Sequence, residues 1–240
     1  MRPLPVLLLP GIDGSGRLFE RFLAAGRGEL DLRVLPYPRE RFLDYPELES
    51  LVQGALPRGP FALLGESFGG PLALRVAARA PRGLVGVVLA ATFHRHPARP
   101  LIARALPLAP AFFRLPLPAH AVRLLLGGAD AGDDLVREVQ DAVSRVPGAV
   151  MAARARAALA VDASEALRAC PAPVLFLGGR EDRLLRSEIP DEIRALRPDA
   201  EIRMLDAPHL VLQRHPAESM RAVEDFLRRA AAPRPVPAGA

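Results

Sequence analysis

Several residue types are absent or scarce in this chain of 240 residues, and each shortage excludes a class of chemistry. There is no lysine, so no lysine side chain can form a Schiff base with a substrate. The single cysteine, Cys170, excludes an internal disulfide and a cysteine-rich metal site. Because Cys170 precedes a Pro-Ala-Pro turn, we interpret it as a passive thiol.

Long apolar runs are also absent. Arginines and prolines interrupt every candidate before it reaches the ~20 residues that a membrane-spanning helix requires. The apolar stretch at residues 6–9 is too short for a signal peptide, and no small-residue cleavage site follows it. We therefore predict a cytoplasmic protein without a transmembrane segment, in which this stretch belongs to the first strand.

The basic residues are all arginines, and the chain carries a formal net charge of +5. They are interleaved with acidic residues, and aromatic residues make up only 5% of the sequence. The sequence contains no RNA- or DNA-binding motif. We therefore predict that the protein does not bind nucleic acid.

Apolar residues make up half of the chain, which is enough for one α/β domain with a full core. Short apolar runs alternate with segments of helical apolar spacing, and the run at residues 84–90 is continuous, as in a strand buried on both faces. This alternation predicts a doubly wound, mostly parallel sheet covered by helices on both sides. The predicted strands are residues 4–9, 32–35, 61–64, 84–90, 174–177 and 200–205.

The alternation is interrupted between residues 93 and 170, where no strand pattern occurs. Prolines divide the first half of this segment into short apolar pieces, and the second half has helical patterns at 133–146 and 147–160. Asp162 with Glu165 resembles a capping box for one more short helix. We predict a helical cap at 93–170, an α/β core at 1–92 and 171–231, and a disordered tail at 232–240.

The sequence Gly65-Glu66-Ser67-Phe68-Gly69 lies where the third predicted strand turns into a helix. It matches the G-x-S-x-G pattern of a nucleophile elbow, in which flanking glycines leave room for neighbouring backbone and the hydroxyl projects above the sheet. A helix N-cap serine between glycines could also arise by chance. The catalytic interpretation therefore depends on an acid and a histidine farther along the chain.

A glycine-rich segment, Pro10-Gly11-Ile12-Asp13-Gly14-Ser15-Gly16, follows the first predicted strand. A dinucleotide fingerprint would need glycine at position 13, and a phosphate-binding loop would need lysine and a hydroxyl where Arg17 and Leu18 stand. Both patterns fail, so we predict no cofactor. We interpret residues 10–16 as an oxyanion loop, which brings a second N–H close to Ser67.

An acidic residue and a histidine follow the last two predicted strands. Asp182 and His209 complete the order Ser, Asp, His, and each lies at the carboxyl end of a strand, where an open parallel sheet places its site. Glu181 and Asp206 are alternative acids, but the first has a longer side chain and the second stands on the same turn as the histidine. We favour Asp182.

The other histidines have no evident catalytic partner. His94 and His96 form a His-x-His pair, but no third ligand is evident, so we predict no metal site. We expect this pair to line the mouth of the pocket or to meet solvent. His120 and His215 are interpreted as surface residues.

In these motifs and their order, residues 4–231 resemble the α/β-hydrolase superfamily of esterases and acyltransferases. The resemblance implies a nucleophilic Ser67, a general base at His209 and an orienting carboxylate at Asp182. The segment at 10–16 is similar to the family's His-Gly oxyanion loop, with proline where histidine is common. By that match the N–H groups of Ile12 and Phe68 form the oxyanion hole.

The expected activity is hydrolysis of a carboxylic ester or thioester through an acyl-enzyme. An acyltransferase with the same three residues remains open, and an inactive ligand-binding member of the fold is a third, less favoured alternative. Apolar residues of the predicted cap suggest a small-molecule substrate with a medium or long acyl chain.

The predicted cap is also rich in arginine. An outward arginine face would steer an anionic lipid surface or an acidic acyl carrier to the site, or would simply keep the cap soluble. The arginines counted toward this face are Arg95, Arg99, Arg104, Arg114, Arg123, Arg137, Arg145, Arg154 and Arg156.

Overall fold

The computed structural model describes residues 3–97 and 117–232, and its centre is a six-stranded sheet. All paired strands are parallel, and their order is β2-β1-β3-β4-β5-β6. The strands are β1 (Leu4–Leu9), β2 (Leu30–Val34), β3 (Phe61–Glu66), β4 (Leu84–Ala90), β5 (Val174–Gly179) and β6 (Glu201–Leu205). The predicted α/β fold with a parallel sheet is confirmed.

Helices cover both faces of this sheet because successive strand residues point to opposite sides. On β1, Val6 and Leu8 pack into one hydrophobic core, whereas Leu7 and Leu9 pack into the other. Outside the insertion between β4 and β5, the described helices are α1 (Glu20–Ala24), α2 (Tyr45–Ala55), α3 (Gly69–Ala78), α8 (Ile189–Leu196), α9 (Val211–Arg214) and α10 (Pro216–Ala230). None of the helices in residues 3–97 and 117–232 combines the length and the hydropathy that a membrane span requires.

Between β4 and β5, the described residues form helices that pack beyond the carboxyl edge of the sheet. The helices are α4 (Ala119–Val122), α5 (Asp133–Ser144), α6 (Gly148–Ala160) and α7 (Ser164–Ala169), with a π-helical turn (Arg123–Gly127) after α4. Leu135 and Val139 of α5 cluster with Leu210, and Met151 of α6 packs near Ile12. These helices therefore cover loops that follow β1 and β6.

Two predictions fall outside the described residues. Residues 98–116, which belong to the proline-rich first half of the predicted cap and include the apolar pieces around Leu101 and Phe112, are not among the described residues. The same applies to residues 233–240 of the predicted tail.

The capping box predicted for Asp162 and Glu165 is wrong. Helix α7 follows Ala163, which has no side chain able to cap it. Asp162 instead accepts a hydrogen bond from the N–H of Ser164 (2.8 Å), and Glu165 pairs with Arg168. The spacing of Asp162 and Glu165 fits a capping box, but Asp162 lies one residue before the N-cap position, which Ala163 occupies. The backbone of Asp162 instead pairs with that of Arg95, where the insertion begins and ends.

Glycine 69 offers a test of how tightly the start of α3 is packed. A Cβ here would overlap the carbonyl oxygens of Leu9 and Pro10, and neither backbone group can move aside without displacing the end of β1. We expect Gly69→Ala to lower the free energy of unfolding by roughly 3 kcal/mol. Urea unfolding followed by circular dichroism measures the change.

Gly54→Ala is the matched control, because nothing lies within 4 Å of a Cβ at this exposed helical position. It should raise the free energy of unfolding by up to about 1 kcal/mol. Equal effects of the two substitutions would contradict the close packing at residue 69.

Candidate active site

Ser67 stands at a sharp turn between β3 and α3, with a positive φ of 48°. This left-handed backbone is unfavourable for a residue with a Cβ, so neighbouring contacts must hold it. The N–H of Ser67 donates to the carbonyl of Ala90 (3.0 Å), and the hydroxyl of Thr92 donates to the carbonyl of Ser67. A Cβ on Gly65 would collide with the backbone of Gly69, which explains the glycines on both sides.

The structure brings Ser67, His209 and Asp182 into one hydrogen-bonded row. The Nε2 atom of His209 lies 3.2 Å from Oγ of Ser67, and its Nδ1 atom lies 2.8 Å from Oδ2 of Asp182. The second oxygen of Asp182 accepts the N–H groups of Leu184 (2.8 Å) and Leu185 (2.9 Å). With its proton on Nδ1, His209 donates to Asp182 and keeps Nε2 free to accept from the serine hydroxyl.

The two alternative acids stay away from the histidine. Asp206 leaves 85% of its side chain exposed and pairs with Arg180 at 2.9 Å. Glu181 is also exposed. Of the acids weighed from the sequence, the one that hydrogen-bonds to His209 is Asp182.

Charges within the row shift both titrating groups. Burial alone would lower the pKa of His209, but the charge and hydrogen bond of Asp182, with the charge of Glu66, raise it above 6.5. Burial would likewise raise the pKa of Asp182, but His209 and the two N–H donors hold it below 3.8. Each partner therefore favours the charged form of the other.

Glu66 is a buried carboxyl directly before Ser67, and the sequence patterns assigned it no role. Its side chain is packed under the site, where Gln213 donates to Oε1 (2.7 Å) and to the carbonyl of Leu18 (3.0 Å). Burial raises the pKa of Glu66 from 4.5 to about 7, and the nearby charge of Asp13 adds to this against the hydrogen bond from Gln213. The sequence feature that could have indicated a buried carboxyl is the position of Glu66 at the end of an otherwise apolar strand.

The oxyanion loop at residues 10–16 passes directly beside the serine. A Cβ on Gly11 would lie 3.8 Å from Cβ of Ser67. Phe68, whose N–H was predicted as the other donor, is held by Tyr45, which stacks on its ring and donates its hydroxyl to its carbonyl (3.1 Å). Among the described residues, no backbone carbonyl accepts the N–H of Ile12 or of Phe68. Both predicted donors are therefore available at the loop and the elbow.

Arg154 does not belong to an outward arginine face, which corrects that prediction. Only 1% of the residue is exposed, and its guanidinium donates to the carbonyls of Ile12 (2.9 Å), Asp13 (2.8 Å) and Pro38 (2.9 Å). The alanine-rich sequence of α6 does not indicate which of its faces is buried. Its small side chains let the helix approach the loop closely, and the long side chain of Arg154 extends from it to the loop.

The other arginines counted toward that face divide into three groups. Three arginines form ion pairs: Arg95 with Glu192, Arg123 with Asp133, and Arg145 with Asp141. Arg137 and Arg156 are exposed, and Arg99, Arg104 and Arg114 lie outside the described residues.

The expectation that His94 and His96 line a pocket mouth or meet solvent holds only for His96, which is exposed. His94 is fully buried, and its Nε2 atom lies 3.4 Å from a carboxylate oxygen of Glu192. Burial lowers the pKa of His94 to about 4, so the ring is neutral at physiological pH. Within the described ranges, no three His, Cys, Asp or Glu side chains cluster as metal ligands.

Comparison with known proteins identifies relatives of the whole fold. A model of the alpha/beta hydrolase family matches residues 6–222, which is most of the chain. No match to a curated protein was found.

Three similar solved structures are esterases or lactonases by name. An enol-lactonase from Burkholderia xenovorans LB400 has a TM-score of 0.82 at 18% identity and covers 95% of this chain and 92% of its own. A carboxylesterase from Bacillus subtilis has a TM-score of 0.74 at 16% identity, with coverages of 94% and 84%. A thermophilic esterase from Thermogutta terrifontis has a TM-score of 0.73 at 22% identity, with coverages of 95% and 91%. At these identities, the likeness shows the fold.

The raised pKa of Glu66 predicts a pH-dependent effect on stability. Between pH 4.5 and about 7, folded Glu66 keeps a proton that the unfolded chain releases, so its contribution to stability falls as the pH rises. Glu66→Gln has no proton to lose. We expect its unfolding free energy, relative to wild type, to increase from pH 5 to pH 8 by roughly 3 kcal/mol.

Urea unfolding at several pH values tests this, with Glu40→Gln at an exposed position as the control. The control should differ from wild type by the same small amount at every pH. A Glu66→Gln difference that does not change with pH would contradict the buried, proton-binding carboxyl.

Proposed function

Because the chain belongs to the alpha/beta hydrolase family, we propose that it is a serine-dependent hydrolase of carboxylic esters or thioesters. The observation that carries the proposal is the hydrogen-bonded row of Ser67, His209 and Asp182 beside the oxyanion loop. The esterase and lactonase names of similar structures agree with this class of reaction.

In the first half of the reaction, Ser67 attacks the acyl carbon while Nε2 of His209 takes the hydroxyl proton. Asp182 holds the imidazole in the tautomer that can accept this proton, and its charge stabilises the imidazolium that forms. His209 then passes the proton to the leaving alcohol or thiol. The products of this half-reaction are the free leaving group and an ester of the acyl group with Ser67.

In the second half, His209 deprotonates a water molecule that attacks the acyl-enzyme, and then returns the proton to Oγ of Ser67. Both halves place negative charge on the former carbonyl oxygen. The N–H groups of Ile12 and Phe68 donate hydrogen bonds to this oxygen, each contributing on the order of 3 kcal/mol in sites of this kind. Transfer to an alcohol instead of water would use the same residues, so the fate of the acyl group separates hydrolysis from acyl transfer.

For the substrate, we propose a small molecule with an apolar acyl chain. The helices of the insertion turn apolar side chains toward the loops around the site, including Met151 near Ile12 and Leu135 near Leu210. Each methylene of an acyl chain buried among such groups contributes about 0.8 kcal/mol.

The catalytic assignment predicts unequal effects at the candidate acids. Ser67→Ala should abolish turnover, and a fluorophosphonate should label wild type at Ser67 alone. Asp182→Asn should lower kcat/KM by about 10³-fold or more, because the histidine loses its orienting charge. Hydrolysis of p-nitrophenyl esters measures the effect, with mass spectrometry of the labelled peptide.

Asp206→Asn is the matched control, since this exposed carboxylate pairs with Arg180. It should keep kcat/KM within about twofold of wild type. Labelling at another residue, or a larger loss in Asp206→Asn than in Asp182→Asn, would refute the assignment.

The proposed apolar acyl chain predicts that kcat/KM depends on acyl length. Across p-nitrophenyl esters from acetyl to palmitoyl, kcat/KM should rise through the medium chains as each buried methylene adds binding energy. The same series with added alcohol, analysed for free acid and new ester, should give mainly acid. A steady fall in kcat/KM beyond acetyl would rule out the apolar pocket, and mainly ester would make the enzyme an acyltransferase.

A further inference from the structure

We propose that Arg154 is a positioning residue that holds the oxyanion loop in its active conformation, so that the loop is complete only when α6 is docked. This inference rests on the proposed function, and it assigns a role to a residue of the insertion. Arg154 lies 142 positions from Ile12 in sequence, yet its Nη1 atom donates to the carbonyls of both Ile12 and Asp13.

Every carbonyl of the loop from Pro10 to Gly14 accepts a hydrogen bond. Tyr37 holds both ends of this stretch, through its hydroxyl to Pro10 (3.1 Å) and its N–H to Gly14 (2.8 Å). The carbonyl of Gly11 closes a turn with the N–H of Gly14 (3.0 Å), and Arg154 holds the remaining two. Each peptide plane is rigid and joins the carbonyl of one residue to the N–H of the next, so holding the carbonyl of Asp13 fixes the N–H of Gly14. That N–H in turn holds the carbonyl of Gly11, whose peptide plane contains the N–H of Ile12.

The surroundings of the guanidinium are built to admit it. Gly14 has a positive φ of 66°, and a Cβ there would lie 2.6 Å from Nη1 of Arg154 and 2.9 Å from Cζ. On another side, the ring of Tyr37 lies 5.7 Å from Cζ. The third bond, to the carbonyl of Pro38, ties the loop to the segment after β2. The planar guanidinium reaches the three carbonyls from two separate nitrogen atoms, whereas the donors of an ammonium all share one nitrogen and an apolar side chain has none.

The charge of Arg154 has an unusual use for a buried guanidinium. In the described part of the chain, no carboxylate lies within ion-pair distance of it, and its hydrogen bonds go to neutral carbonyls. A pairing role in stability would call for a carboxylate partner. Here the positive charge lies against the back of the loop whose front faces Ser67, where it also favours negative charge on an oxyanion.

The consequence is a specific kinetic signature. Losing Arg154 frees two adjacent carbonyls of the loop, and a displaced N–H donor weakens transition-state binding more than substrate binding. We expect Arg154→Met to lower kcat by about 10²-fold and to change KM by less than about threefold. Millimolar guanidinium should restore part of kcat, because the free cation can occupy the vacated space.

Two further variants sharpen the test. Arg156→Met alters an exposed arginine on the same helix and should keep kcat, KM and insensitivity to guanidinium. Arg154→Lys keeps the charge without the planar group, and its kcat should fall at least tenfold. Because it keeps the charge, we expect it to fold, and it replaces Arg154→Met in the test if that variant does not fold. A folded Arg154 variant that keeps the wild-type kcat and KM, and does not respond to guanidinium, overturns the inference.

Hydrogen exchange provides a readout that does not depend on ester cleavage. The amide of Gly14, whose N–H donates to the carbonyl of Gly11, should exchange at least tenfold faster in the Arg154 variants than in wild type and in Arg156→Met. Unchanged exchange overturns the positioning role even if esters are cleaved. Conversely, the wild type could cleave no ester while the Arg154 variants still exchange faster than it does. That result refutes the proposed function and supports the loop contact.

Discussion

The close approach of α3 to the end of β1 is the constraint on which the rest of the site depends. At Gly65 and Gly69 a Cβ would run into backbone atoms, so the strand, the turn and the helix can meet only where no side chain intervenes. That approach forces Ser67 into a left-handed conformation and turns its hydroxyl toward the edge where the other strands end. The oxyanion loop, which continues directly from β1, thereby comes to lie beside it.

Around this turn the protein buries several ionisable groups, and their charges are complementary. Asp182 places negative charge beside His209, whereas Arg154 brings a positive charge to the carbonyl side of the oxyanion loop. Such an arrangement favours an imidazolium on one side of the serine and an oxyanion on the other. The inserted helices supply one of these charges, so they contribute electrostatics as well as apolar surface.

Most of the fold was accessible from sequence pattern because its causes are local. Continuous apolar runs such as 84–90 predict strands buried on both faces, and their alternation with helices implies a parallel sheet. The elbow follows from spacing alone, since glycines at 65 and 69 bracket Ser67. Strand ends were displaced by one or two residues, as at β5, where two glycines continue the strand without an apolar side chain.

The parallel sheet, the turn at Ser67, and an acid and a histidine after later strands follow from the order of the residues, because period and spacing are properties of neighbouring residues. The choice between Asp182 and Asp206 required the folded chain, because it depends on which side chain reaches the imidazole across the sheet edge. It also buried His94, Glu66 and Arg154, which look like surface or variable positions in the chain. Burial and charge pairing arise from segments far apart in sequence, as with Arg154 and Ile12, and no local pattern contains them.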